Sequence, residues 1–196
     1  MGNVRGRHRG GPEPGVVVRP ALPRDVRRIH DLVALHAAEG SLIEKNLVSY
    51  FEDVCEFVVA EVTDEADGEP VVAGCGALHV LWDDIAEVRT IAVDRRFQGR
   101  GVGHRIIDAL VERARAFHLQ RIFCLTFEVD FFARHGFVPI AGTPVGMDVY
   151  AQLLRSHDPG VAEFLDLARA KPNTLGNIRM LLELRPPDPA GAAPSS

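Results

Sequence analysis

Gln98-Gly99-Arg100-Gly101-Val102-Gly103 decides how the rest of the chain is read. An apolar, strand-like run from Glu87 to Val93 precedes it. A long amphipathic helix follows from Val102 to about Phe117, with Ile106, Leu110 and Ala114 on one face and Ile107 and Val111 beside them. A glycine-rich turn from strand into helix is a place to hold phosphate. The first N–H groups of a helix have no intrahelical acceptor, and the helix dipole favours negative charge there. Glycine lets the backbone approach a pyrophosphate with no Cβ in the way. By itself the loop fits several unrelated folds, so its neighbours must discriminate.

Upstream, Val16 to Arg19 reads as a short strand. Pro23 and Asp25 suit the start of a helix whose apolar face carries Val26, Ile29, Val33 and His36, with Gly40 as its stop. A second short helix is centred near Leu47. Phe57 to Val62 and Val71 to Leu81 form a hairpin about Asp67-Gly68, and Gly74 and Gly76 inside it mark close packing or a bulge. Downstream, Arg121 to Phe127 is a buried strand. Asp130 to His135 is a short helix ended by Gly136, and Phe137 to Ile140 is a strand. The stretch 148–168 is helical in two pieces broken at Asp158-Pro159-Gly160, and Asn177 to Leu184 is a closing strand. The order β α α β β β α β α β α α β is an α/β (α+β) mixture with early antiparallel pairing and a central β-α-β crossover.

At 196 residues the chain suits one domain with a sizeable core. Residues 1–14 and 186–196 read as disordered tails, leaving 15–185 as the folded domain. The net charge of −5 argues against nucleic acid as the main partner. No apolar run is long enough to span a bilayer, and no signal peptide is expected, so a cytoplasmic location is. A myristoylation signal is rejected because position 6 is Gly6. Cys55, Cys75 and Cys124 lie in apolar surroundings without CxxC spacing and read as buried, reduced thiols. The eight histidines form no HExxH pair, so no metal is expected.

Three segments agree with one another: Glu87-Val88-Arg89-Thr90-Ile91-Ala92-Val93-Asp94, the glycine loop, and Phe131-Phe132-Ala133-Arg134-His135-Gly136-Phe137. Together they resemble the GCN5-related N-acetyltransferase (GNAT) superfamily over residues 16–184. Within it, Gly74-Cys75-Gly76-Ala77-Leu78 and Leu119 to Thr126 look like the acetyltransferase domain of N-acetylglutamate synthase. Lys171-Pro172-Asn173-Thr174-Leu175-Gly176-Asn177-Ile178-Arg179-Met180-Leu181-Leu182 is similar to the C-terminal run of short, stand-alone actinobacterial amino-acid N-acetyltransferases. The resemblance implies a mixed central sheet of six to seven strands flanked by helices, with strands 4 and 5 splayed to admit acetyl-CoA. It also implies transfer of acetyl to the α-amino group of glutamate or glutamine, the first step of arginine biosynthesis. The long synthases carry a kinase-like, arginine-binding domain, for which this chain has no room, so feedback inhibition through it is not expected here. Many superfamily members have a tyrosine acid where this chain has Phe132.

The roles follow from the resemblance and from what the chemistry demands. Ile91, Ala92 and Val93 would pair with the pantetheine arm as an added strand does. Gln98, Gly99, Arg100, Gly101, Val102 and Gly103 would hold the pyrophosphate, with Arg95, Arg96 and Arg100 near the adenosine phosphate. Glu87 is the candidate general base, partial burial raising its pKa; alternatively it is a solvated carboxylate at a strand end. Thr126 either protonates the leaving thiolate or is a β-former in a sheet. Arg89, two residues from Glu87 and on its face, would hold the substrate carboxylate, with Lys45, Thr90, Asn173 and Arg179 as further candidates. Cys124 invites an acetyl-cysteine reading, but a small core residue fits better. The expected partner is a small amino acid, with a homodimer left open. Acetylation of another amine, at a protein N-terminus or on a small molecule, and a non-catalytic acetyl-CoA sensor are the competing readings.

Overall fold

The computed structural model describes residues 15–38, 42, 45–63, 68–165 and 176–184. The readings made for both tails, Gly40, Asp67 and Asn173 lie outside them. The elements are β1 (Val17–Pro20), α1 (Val26–Ala37), α2 (Leu47–Glu52), β2 (Phe57–Thr63), β3 (Pro70–Val80), β4 (Ile85–Val93), α3 (Val102–Ala116), β5 (Arg121–Thr126), α4 (Val129–Ala133), β6 (Val138–Pro139), α5 (Met147–Leu153), α6 (Pro159–Phe164) and β7 (Ile178–Glu183). They form a seven-stranded sheet in the order β1-β2-β3-β4-β5-β7-β6. Every neighbouring pair is antiparallel except β4–β5. That parallel pair is joined by α3, the crossover read from the sequence.

Strand alternation sorts the core into two faces. Val58, Ala60 and Val62 of β2 pack with Ile106, Ile107 and Leu110 of α3. Phe57 and Val59, one residue out of step, pack with Val26, Ile29 and Val33 of α1 and Tyr50 of α2. A third cluster under α5 and α6 joins Ile85, Phe123, Leu153, Val161 and Phe164.

The glycines of β3 explain how close α3 lies. A Cβ on Gly74 would sit 2.9 Å from Ile106 Cδ1, and one on Gly76 only 2.6 Å from Ile106 Cγ2. Opposite Gly76 the register slips: Cys75 faces Ala92 but Ala77 faces Arg89. The extra residue therefore belongs to β4, at Thr90-Ile91, and Thr90 adopts a left-handed φ of 59°. A β-branched residue rarely takes that conformation, and a bulge is where it is found.

The fork follows from two competing pairings. Only Ile85, Ala86 and Glu87 pair with β5, opposite Arg121, Ile122 and Phe123. β5 stays with β7 along its whole length, Arg121 to Thr126 against Glu183 to Ile178. β4 bends away at its bulge, so the strands diverge beyond Glu87 and Phe123.

The two helical pieces read over 148–168 are α5 and α6, and Asp158-Pro159-Gly160 starts the second of them, with the Asp158 carboxylate accepting from the amides of Gly160 (2.7 Å) and Val161 (3.2 Å). Pro159 then opens the first turn, where it has no N–H to lose. One sequence reading is corrected: Cys55, read as buried, is exposed in the short 3-10 turn Val54–Glu56 before β2, whereas Cys75 and Cys124 are buried.

Candidate active site

The bottom of the fork is Glu87. Its side chain is 4 % exposed, and Oε2 has no hydrogen-bond partner. Burial pushes its pKa up to about 7; Arg89 and His79 pull it down, while Glu163 and Asp158 push it up. A carboxyl that ionises near neutrality can both take and release a proton at working pH.

Arg89 is two residues on and lies beside it. Its Nη2 donates to Glu56 Oε2 (2.9 Å) and its Nη1 to Asp158 Oδ1 (3.1 Å). Glu56 in turn accepts from His79 Nδ1 (2.7 Å). Lys45 Nζ lies 3.3 Å from Asp53 Oδ2 and 3.9 Å from Asp158 Oδ2. Arg89 and Lys45 thus converge on two carboxylates: Asp158, 3.1 Å from Arg89 and 3.9 Å from Lys45, and Asp53, 4.0 Å from Arg89 and 3.3 Å from Lys45. Thr90 holds its place as the bulge residue, its carbonyl facing the Cys75 thiol.

Thr126 is buried, and its Oγ1 accepts from the Glu128 amide (2.8 Å), which leaves its own hydroxyl proton to donate. By strand alternation it shares a face with Ile122 and Cys124, both in the α3 core, whereas Glu87 and Phe123 face α6. Glu87 and Thr126 therefore flank the fork from opposite faces. Burial raises the Cys124 thiol well above the ordinary range, which suits a core residue and not a nucleophile.

Arg179 is the candidate that the structure moves furthest from its expected role. Nε donates to the Gly142 carbonyl (2.9 Å), Nη1 to Glu163 (3.1 Å) and Nη2 to Phe164. Its guanidinium lies 5.0 Å above the Phe123 ring. It ties the end of α6 to the sheet, a job set by tertiary contacts that no local motif announces.

On the cofactor side, the Asp94 amide donates to Ala73 (2.8 Å), so Ala92 and Asp94 face β3, while Ile91 and Val93 turn towards the open side of the fork. The Val93 carbonyl accepts from His36 Nε2 (3.0 Å) and from the Gln98 side chain (3.5 Å), which pins the loop to the strand end. Asp94 accepts from the Arg96 amide (3.0 Å), and Arg96 and Arg28 hold its carboxyl far below the usual carboxylate range. Gly99 and Gly101 take φ of 73° and 77°, which glycine alone adopts without strain. No atom lies within 4 Å of where a Cβ on Gly99 would be. The α3 ladder begins with Arg105 N–H to Gly101 (3.1 Å), leaving the amides of Val102, Gly103 and His104 ahead of it. That is the donor set a pyrophosphate needs. Arg96 and Arg100 stack over Phe97 beside it.

The sequence reading missed a cluster behind the loop. His104 Nδ1 lies 2.7 Å from His135 Nε2, whose Nδ1 is 3.2 Å from Asp108, and Phe131 packs on Gly103. The residues are 31 apart in sequence, and only the α3–α4 contact joins them. Among the described residues no group of three or more His, Cys, Asp or Glu is placed to hold a metal ion, and no helix is long and apolar enough to cross a membrane.

Residues 27–137, which span the fork, the bulge and the glycine loop, match the model of the acetyltransferase (GNAT) family. The chain belongs to this family. It is 55 % identical over 168 residues to an amino-acid acetyltransferase of Mycobacterium tuberculosis, covering 86 % of this chain and 94 % of that protein. The crystal structure of Rv2747 from Mycobacterium tuberculosis in complex with CoA and NLQ superposes with a TM-score of 0.81 at 55 % identity, over 86 % of this chain and 99 % of that one. N-acetylglutamate synthase from Neisseria gonorrhoeae, complexed with coenzyme A and N-acetyl-glutamate, shares the fold with a TM-score of 0.65 at 21 % identity, over 88 % of this chain and 36 % of that one. Family membership makes the chain an acetyl-CoA-dependent acyltransferase, with the splayed mixed sheet expected from the sequence.

Proposed function

We propose that this chain transfers acetyl from acetyl-CoA to the α-amino group of L-glutamate or L-glutamine, the entry step of arginine biosynthesis. The observation that carries the reading is Glu87: a buried carboxyl at the fork with Oε2 unpartnered, its pKa pushed up to about 7, beside the Arg89 cation. Similarity to the mycobacterial amino-acid acetyltransferase supports the substrate class.

In this reading Arg89 and Lys45 take the substrate α-carboxylate, which brings the adjacent ammonium to Glu87. Glu87 accepts its proton, directly or through water. The freed amine attacks the thioester carbonyl, an amide bond forms, and the carbon–sulfur bond breaks. The departing thiolate takes the second proton shed by the amine nitrogen, relayed through the Thr126 hydroxyl or water. The glycine loop anchors the other end of the acetyl donor, so both reactants meet in one geometry. A well-placed base contributes about 10²–10⁴ in rate. The test is release of CoA thiol by purified protein against a panel of free amino acids. Release with glutamate or glutamine supports the proposal; measurable acetyl-CoA binding with no release for any amino acid refutes it.

A further inference from the structure

The Arg89–Lys45 seat already holds a carboxylate. Asp158 Oδ1 accepts from Arg89 Nη1 at 3.1 Å, and Oδ2 lies 3.9 Å from Lys45 Nζ. Of the carboxylates on Arg89, this one is built to leave. Glu56 is gripped twice, by Arg89 at 2.9 Å and by His79 at 2.7 Å. Asp158 also caps α6, so Oδ1 keeps the amides of Gly160 and Val161 when Arg89 is taken away. An acceptor that retains partners loses little on giving up one more. The helix behind it is anchored elsewhere, through Val161, Phe164 and Leu165 in the core and Arg179 on the carbonyls of Glu163 and Phe164. Exchange at Arg89 therefore needs only a shift of the Arg89 guanidinium, with Asp158 Oδ1 still on the α6 amides and the helix in place. The seat is within reach of solvent: Lys45, Arg89 and Asp158 side chains are 26 %, 11 % and 22 % exposed.

We propose that Asp158 is an internal stand-in for the substrate carboxylate, occupying the Arg89–Lys45 seat until an amino acid displaces it. It rests on the assignment of Arg89 and Lys45 to the substrate carboxylate. Asp158 shares the two cations with Glu56 and Asp53 in the empty enzyme, and it raises the concentration of amino acid needed to fill the site. The observed affinity equals the intrinsic affinity scaled by the fraction of sites not self-occupied.

Asp158→Asn tests this, because an asparagine side-chain oxygen still caps α6 while the charge is gone. Asp158→Ser, another good cap, is the second variant. Binding of L-glutamate and L-glutamine is measured by calorimetry on the full chain in the presence of CoA, and turnover is followed in parallel. The expected result is binding tighter by roughly three- to tenfold in both variants, an occupancy effect, with acetyl-CoA KM unchanged. Equal or weaker amino-acid binding in folded variants overturns the proposal, since a purely structural Asp158 predicts that loss. Wild-type turnover with no tightening overturns the gate alone. Tightening without turnover upholds the gate and overturns the acetyl-transfer reading. No binding of either amino acid to any form overturns both.

Discussion

Arg89→Gln tests how the site sets the ionisation of Glu87. A Cβ built on Gly160 would lie 2.8 Å from Arg89 Nη1 and 3.4 Å from Glu87 Oε2, so the two groups are within about 6 Å of each other. Opposite charges at that separation interact by roughly 3 kcal/mol at an effective dielectric of about 20. With 1.36 kcal/mol per tenfold change, that corresponds to a displacement of about two pH units. Glu56 and Asp158 already offset part of the guanidinium charge, which brings the expectation to about one to two pH units. The sign is fixed: Arg89 favours the carboxylate, so its loss raises the pKa of Glu87. The ionised base is the active form. The acid limb of kcat/KM should therefore move from about pH 7 in the wild type to higher pH in the variant. The assay is CoA-thiol release at several amino-acid concentrations across a range from about 1.5 pH units below to about 2.5 pH units above the wild-type limb near 7. Loss of a carboxylate contact raises the amino-acid KM at every pH and leaves the limb where it was, so the two effects separate. A limb that stays put, or moves down, refutes the electrostatic account.

Other outcomes are equally open to measurement. Glu87→Gln should lower turnover at neutral pH by at least about tenfold; a wild-type pH–rate profile in this variant would remove Glu87 as base. The same substitution should stabilise the fold above pH 7. The buried carboxyl binds its proton more tightly folded than unfolded, so wild-type stability falls as pH rises from about 4.5 through about 7, by roughly 3 kcal/mol in all. Thermal melts at pH 5 and pH 8 check this, and an equal difference at both would contradict it. Gly76→Ala drives a Cβ to within 2.6 Å of Ile106 and should cost about 1–3 kcal/mol by denaturant titration. Gly101→Ala forces a side chain into φ 77° and should raise the acetyl-CoA KM about tenfold with little change for the amino acid; an unchanged acetyl-CoA KM would argue against the loop as the phosphate site.

Local sequence carried the element order because local forces make those elements. The period of Ile106, Leu110 and Ala114 makes α3, and all three are buried on its inner face. Gly74 and Gly76 pointed to close packing, which Ile106 supplies. Asp158-Pro159-Gly160 was legible as the division between two helices, and the structure adds that Asp158 caps the second. Cys55 was misplaced because apolar neighbours in sequence do not fix which way a turn residue points.

By itself the sequence determined the fold, the glycine loop before α3 and the identity of the candidate base, since each rests on residues adjacent along the chain. The tertiary structure alone decided who partners whom. Arg179 became a clamp on α6, and Arg89 and Lys45 met Asp158, 69 residues from Arg89. Glu87 became an ionisable group tuned to about 7. The physical reason is that burial and charge separation depend on packing between distant segments, and these set the chemistry of a side chain whose identity the sequence already supplies.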